Sequence, residues 1–165
     1  MDLATLNTLP EAQFLEHIGG PLEGETWLAA RVLAHRPFVN VEALINSFFE
    51  VVNAATQDEK LKLIASHPQL GIAVAENLSE MSAREQAAAG LKQLSPEEYA
   101  TFAELNASYN ETFGFPFVIC ARENTRATIL EAFHARLKNQ RDDEINTGTQ
   151  EVLKILRLRL LDLVE

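Results

Sequence analysis

The chain has 165 residues, 47% hydrophobic and 23% charged, a balance that excludes disordered and fibrous classes and predicts one compact domain over residues 1–165. Its 14 Lys and Arg against 24 Asp and Glu leave a formal charge of -10, the wrong sign for gathering phosphates, so nucleic acid is not an expected partner. No apolar run approaches the ~20 residues of a membrane span, the N-terminus lacks a basic leader, and Cys120 is a lone thiol, so the reading is of a soluble, unexported protein in a reducing compartment.

The periodicity is helical almost throughout. Thr8 with Glu11 is the first start signal, Pro10 suits a helix start, and Gly19-Gly20 ends the helix predicted over 10–18. A second helix is predicted over 26–35, with Trp27 as a core anchor and Arg36-Pro37-Phe38 as a turn. Val41, Leu44, Ile45, Phe48, Phe49 and Val52 follow the spacing of one buried face, which makes 41–54 a core helix. Thr56 with Glu59, Ser82 with Glu85 and Ser95 with Glu98 open helices over 57–66, 83–93 and 96–112. The stretch 113–121 is apolar, partly β-branched and broken by Gly114 and Pro116. It reads as a strand or an extended loop, and its backbone polar groups must find partners in side chains, water or a ligand. Helices over 124–139 and 143–164 complete an all-α, single-domain bundle of about eight helices with one extended apolar loop.

Few residues offer chemistry. The four histidines show no metal-ligand spacing, and neither a glycine-rich phosphate loop nor a GxSxG elbow is present. His67 stands directly before Pro68, which pushes it out of the helix and leaves it at the C-terminal end, where the helix dipole favours the imidazolium form and makes a usable proton donor. The plainer reading is a histidine capping the last carbonyls. Ser82, Glu85 and Gln86 share one side of a helix start, where a capping box alone explains Ser82 and Glu85 but not Gln86, which is followed by three alanines. Arg159 sits among Ile155, Leu156 and Leu163 and needs an anion, either Asp162 one turn on or a ligand. The apolar last helix suits a core or a dimer interface. Cys120 reads as a small buried hydrophobe whose apolar neighbours raise its pKa, with no covalent role.

Taken in order, His67-Pro68-x-Leu70-Gly71, Ser82-x-x-Glu85-Gln86, Leu105-Asn106-x-x-Tyr109, Phe113-Gly114-Phe115-Pro116-Phe117 and Lys154-Ile155-x-x-Leu158-Arg159-Leu160 resemble the 2-oxo-4-hydroxy-4-carboxy-5-ureidoimidazoline (OHCU) decarboxylases of urate breakdown. Glu25-Thr26-Trp27 and Arg36-Pro37-Phe38 extend the likeness over nearly the whole chain. The resemblance implies an all-helical, usually homodimeric carboxy-lyase of purine catabolism. It would act without metal or organic cofactor and convert OHCU to (S)-allantoin.

Position by position, the resemblance implies His67 and Glu85 as catalytic residues. It implies Pro68, the run Ser82, Ala83, Arg84, Glu85 and Gln86, the extended piece Phe117, Val118, Ile119, Cys120 and Ala121, and Arg159 as substrate contacts. Loss of CO2 leaves electrons that the adjacent C=N and carbonyl system delocalises. His67, polarised by Glu85, would then manage the proton at the hydroxyl- and carboxylate-bearing carbon. The ending Leu163-Val164-Glu165 is no peroxisomal address, which points the expectation to a cytoplasmic, bacterial member. The rival readings are a helical module that binds ureides without turnover and an acidic scaffold with no ligand.

Overall fold

In the computed structural model the described residues are 1–23, 25–71 and 78–165. Among them the secondary structure is helical: α1 (Leu3–Thr8), α2 (Glu11–Gly19), α3 (Thr26–Leu33), α4 (Val41–Ala54), α5 (Gln57–Ala65), α6 (Glu80–Ala88), α7 (Pro96–Phe113), α8 (Arg126–Arg136) and α9 (Arg141–Leu163). The all-α expectation holds. Within the same residues no helix is long and apolar enough to cross a membrane, and no group of three or more His, Cys, Asp and Glu is placed to hold a metal ion.

Local chemistry explains most boundaries. Asp2, Asn40, Ser79, Ser95 and Thr125 each accept a backbone N–H at the start of a helix. Two of the four expected capping boxes form: Thr56 with Glu59, at 3.1 and 3.2 Å, and Ser95 with Glu98, at 3.1 Å both ways. The other two do not begin their helices. Thr8 instead donates back to Thr5 O at 3.0 Å, finishing α1, a helix the sequence reading missed. Ser79 caps α6 by accepting from Ser82 N at 3.1 Å, so Ser82 lies inside the first turn. At the end of α2 neither glycine turns left-handed: Gly20 stays right-handed, the chain tightens into a turn over Gly20–Leu22, and Glu23 takes the left-handed geometry at φ 52°.

Two compact units divide the chain, with boundaries inside α5 and α9. The first comprises Met1–Lys60 and Leu153–Glu165. In it α3 packs against α2 and α4. Asn7 brackets the Phe38 backbone, donating to its carbonyl at 2.9 Å and accepting from its N–H at 2.8 Å. Arg36 closes the same corner by donating to Leu9 O at 2.8 Å. The unit's ends meet where the Met1 ammonium donates to Leu163 O at 3.0 Å. Along α9, Val152, Leu153, Ile155, Leu156 and Leu160 are all at most 5% exposed, whereas Leu158 and Leu163 are half-buried and Leu161 is 43% exposed, so most but not all of the apolar residues that suggested a core or an interface are buried within this chain.

On the surface of this unit, the Arg31 guanidinium and then the Thr56 N–H hold the Glu59 carboxyl below its ordinary 4.5, at about 2. A carboxyl lowered in the folded state stabilises fully above the unfolded pKa and loses that contribution as pH falls through the folded one. The melting-temperature difference between the parent and Glu59→Gln is therefore expected to be constant from neutral pH to about 4.5, to shrink below it and to vanish near pH 2. Thermal melts at pH 7, 4, 3 and 2 measure it.

The second unit, Leu61–Val152, is built on aromatic packing. Phe117 stacks on Phe133 with centroids 3.7 Å apart, and Tyr109 meets Phe117 edge-on at 5.3 Å. Gly114, left-handed at φ 81°, ends α7. The chain then runs without regular secondary structure to Cys120, whose own backbone is extended, so of the two expectations the loop holds and the strand does not form.

Candidate active site

Three pieces of the second unit converge. The first is the turn 67–71 after α5. The His67 N–H donates to Ile64 O at 3.2 Å, and its Nδ1 lies 3.0 Å from Leu63 O. A carbonyl can only accept, so Nδ1 carries the hydrogen and Nε2 is the ring nitrogen that gains and loses a proton. His67 is 7% exposed. The ring thus reaches back to a carbonyl of the last turn of its helix, as the capping reading expected. Gly71 closes the turn at φ 71°, where an added Cβ would stand 2.8 Å from Phe102 Cγ. Conformation and space both reserve that position for glycine.

The second piece is α6. Of the expected run, Ser82 and Gln86 are buried, Glu85 is half-buried, and the Ala83 and Arg84 side chains are exposed, Arg84 pairing with Glu80 at 3.7 Å. The Gln86 amide grips the turn: Oε1 accepts from Gly71 N and Nε2 donates to Gln69 O, each at 3.2 Å. Asn106 of α7 adds a hydrogen bond to Leu70 O at 2.8 Å. Its Oδ1, buried, has no hydrogen-bond partner among the described residues. Two carboxamides thus fix the backbone that follows His67-Pro68.

The extended segment Phe117 to Ala121 is the third piece, buried at every residue. Its far end continues into the turn Ala121–Glu123, which packs against α6. Arg136 Nη1 donates to Val118 O at 2.7 Å. Cys120 N–H donates to Glu151 Oε1 at 3.2 Å, and Asn124 donates to Cys120 O at 2.8 Å. The Cys120 N–H is therefore used internally, whereas among the described residues no hydrogen bond engages the N–H of Phe117 or Ile119. Burial, then the nearby Glu123 and Glu151 carboxylates, push the Cys120 thiol up to about 11, which keeps it protonated and unreactive, in line with its apolar neighbours.

Arg136 also joins this segment to a buried network of which the sequence motifs signalled only Tyr109. Glu144, fully buried, accepts from Tyr109 Oη and Arg136 Nε at 2.7 Å each and from Asn139 at 3.0 Å. The Arg136 guanidinium also lies 4.3 Å from the Phe117 ring centroid. Burial and the bond to Glu144 raise the Tyr109 phenol above its ordinary value.

Arg159 belongs to the first unit. Its guanidinium is 2% exposed and donates to Glu23 Oε1 at 2.8 Å and to Pro21 O at 3.2 Å. The buried cation thus has a long-range acidic partner that local spacing could not show.

Comparison with known proteins bears on the chain as a whole. The family pattern described as OHCU decarboxylase matches residues 7–161. The chain is 36% identical to the 2-oxo-4-hydroxy-4-carboxy-5-ureidoimidazoline decarboxylase of Xenopus laevis, over 99% of this chain and 94% of that protein. It is 34% identical to the uric acid degradation bifunctional protein of Bacillus sp. (strain TB-90), again over 99% of this chain but only 32% of the relative, so it spans about a third of that protein. The crystal structure of an OHCU decarboxylase in the presence of (S)-allantoin superposes with a TM-score of 0.71 at 26% identity, covering 85% of this chain and 92% of the other. With the family pattern running through the His67 turn, α6, the extended segment and Arg159, the chain belongs to the OHCU decarboxylase family.

Proposed function

We propose that the protein decarboxylates 2-oxo-4-hydroxy-4-carboxy-5-ureidoimidazoline to (S)-allantoin in urate degradation, with His67 as the proton-transfer residue. The observation that carries this reading is the His67 ring. With Nδ1 committed to Leu63 O, proton exchange is confined to Nε2, on a side chain whose following turn is fixed by Gln86 and Asn106.

The substrate supplies its own electron sink. Breaking the bond to the carboxylate releases CO2 and moves the electron pair toward the ring C=N. The ring nitrogen of that C=N and the ureido-bearing carbon then each take a proton, and the hydroxyl loses one to become a carbonyl. That carbon is the stereocentre of allantoin, so proton delivery belongs there rather than at the carbon that loses CO2. The protein must orient the ring, stabilise developing negative charge and protonate one face. In this reading Glu85 polarises His67, and the Phe117 and Ile119 N–H groups receive carbonyl oxygens of the substrate. Pro68 and the α6 run from Ser82 to Gln86 shape the pocket wall, and Arg159 is a substrate contact on the family resemblance alone. Gln86 contributes by holding the 69–71 backbone as well as by contact.

Circular dichroism of freshly generated OHCU tests the reading, because the substrate decays unaided to racemic allantoin. Rapid growth of the (S)-allantoin signal is expected with the protein present; racemic product at the unaided rate would overturn the proposal. A cytoplasmic setting is supported by the lone, buried Cys120. A homodimer rests on the family resemblance and is read by sedimentation equilibrium.

A further inference from the structure

We propose, on the decarboxylase reading above, that Asn106 is a positioning residue for the reaction: from α7 it seats the turn that follows His67 and so holds the imidazole where its proton is delivered. The family resemblance included Asn106 as a motif residue and gave it no role at the site.

Phe102, Asn106 and Tyr109 follow the spacing of one helix face, and all three are buried. Each makes a defined contact. Tyr109 ties the helix to the core through its hydroxyl, which donates to Glu144 at 2.7 Å. Phe102 approaches Gly71 so closely that an added Cβ would stand 2.8 Å from its Cγ. Between them along the helix, Asn106 Nδ2 donates to Leu70 O at 2.8 Å. Leu70 and Gly71, consecutive residues of the turn, thus rest on one face of α7. His67 is held from the helix side by Ile64 O and Leu63 O, at 3.2 and 3.0 Å, and the φ of Pro68 is locked by its ring. The short chain that carries the imidazole is therefore fixed at both ends.

Core stability does not account for an amide at this position. Leu70 O can only accept, which turns Nδ2 toward it and leaves Oδ1 to find a donor elsewhere. Oδ1 is buried and meets none among the described residues, on a side chain that is 3% exposed. A buried acceptor without a partner destabilises the fold by about as much as the hydrogen bond on the other arm stabilises it. Its neighbours on the helix, Phe102, Leu105 and Phe113, are apolar and buried, and a leucine of similar volume suits such surroundings. What the amide adds is the direction and place of the turn.

Asn106→Leu in the intact protein carries the test, with OHCU turnover followed by circular dichroism, (S)-allantoin affinity by calorimetry, and thermal melts. The substitution removes the donor to Leu70 O and the unpaired Oδ1 together, so the melting temperature stays close to that of the parent. An interaction that matters only in the transition state lowers kcat and kcat/KM equally. The kcat per folded molecule is therefore expected to fall about tenfold, the scale of one hydrogen bond. KM and (S)-allantoin affinity stay within about twofold of the parent. Leu105→Ala is the comparison, because it loosens the same helix through lost packing and keeps the bond to Leu70 O. Its melting temperature falls while its kcat per folded molecule stays parental. Parental kcat in Asn106→Leu overturns the proposal, as does an equal loss of kcat in Leu105→Ala. Should Asn106→Leu fail to fold, Asn106→Ala, smaller and equally without the donor, is read on the same kcat, and either of those outcomes overturns the proposal. Absence of turnover in the parent protein instead removes the decarboxylase reading, and this proposal with it.

Discussion

Replacing His67 by alanine is expected to lower kcat by about 10² to 10⁴, the range of positioned acid–base transfer, and to leave only the racemic product of unaided decay. The size of the effect follows from the position of the proton. Leu63 O fixes Nδ1 at 3.0 Å, so the ring is held in one tautomer and one orientation. Loss of the ring also removes one backbone hydrogen bond, at about 0.5–1.5 kcal/mol, so the variant remains folded. Asparagine sharpens the test, since its amide can still donate toward Leu63 O but has no titrating nitrogen. Both variants are expected to bind (S)-allantoin near parental affinity while losing the enantiomeric excess of the product. An alanine variant with full turnover and an unchanged (S)-allantoin signal would show that the proton comes from elsewhere.

What sequence could reveal here was whatever lies within one or two turns of chain. The stripe from Val41 to Val52 was legible because six apolar residues at helical spacing have one arrangement that buries them, and α4 covers that span. Capping was half legible. Thr56 with Glu59 and Ser95 with Glu98 form as read, but Ser82 with Glu85 was mistaken for a start because Ser79, three residues earlier, is an equally good cap and wins the helix for itself. Thr8 failed differently, since its hydroxyl turns back onto α1. Among the site residues, the position of His67 before proline already implied a helix end. The Gln86 amide, by contrast, gave no hint that both its ends would bond a turn 15 and 17 residues away. Arg159 is the clearest limit: spacing offered Asp162, whereas Glu23, 136 residues away, is a partner in the fold. Buried charges choose partners through tertiary structure, and periodicity carries no information about that choice.

The same limit hid Arg136, whose loss is expected to be the most damaging single change to stability. Arg136→Met should destabilise the protein by about 3–5 kcal/mol, the cost of leaving a buried charge without its counterion. Glu144 is fully buried, and Arg136 supplies its cationic partner at 2.7 Å. Tyr109 and Asn139 would continue to donate to the carboxylate, but neutral donors do not balance its charge. The methionine also frees Val118 O and removes the guanidinium from the Phe117 ring, so the extended segment loosens together with the core. Arg136→Lys is expected to fall between, because a single ammonium cannot bond Glu144 and Val118 in the forked geometry that Arg136 uses. Adding Glu144→Leu to Arg136→Met removes the orphaned charge, so the double variant should lose less than the sum of the two single losses. Denaturant titrations with an unchanged slope read the parent and the four variants on one scale. A single Arg136→Met loss below about 1 kcal/mol, or strict additivity in the double variant, would mean that Glu144 is neutralised by other means than the ion pair.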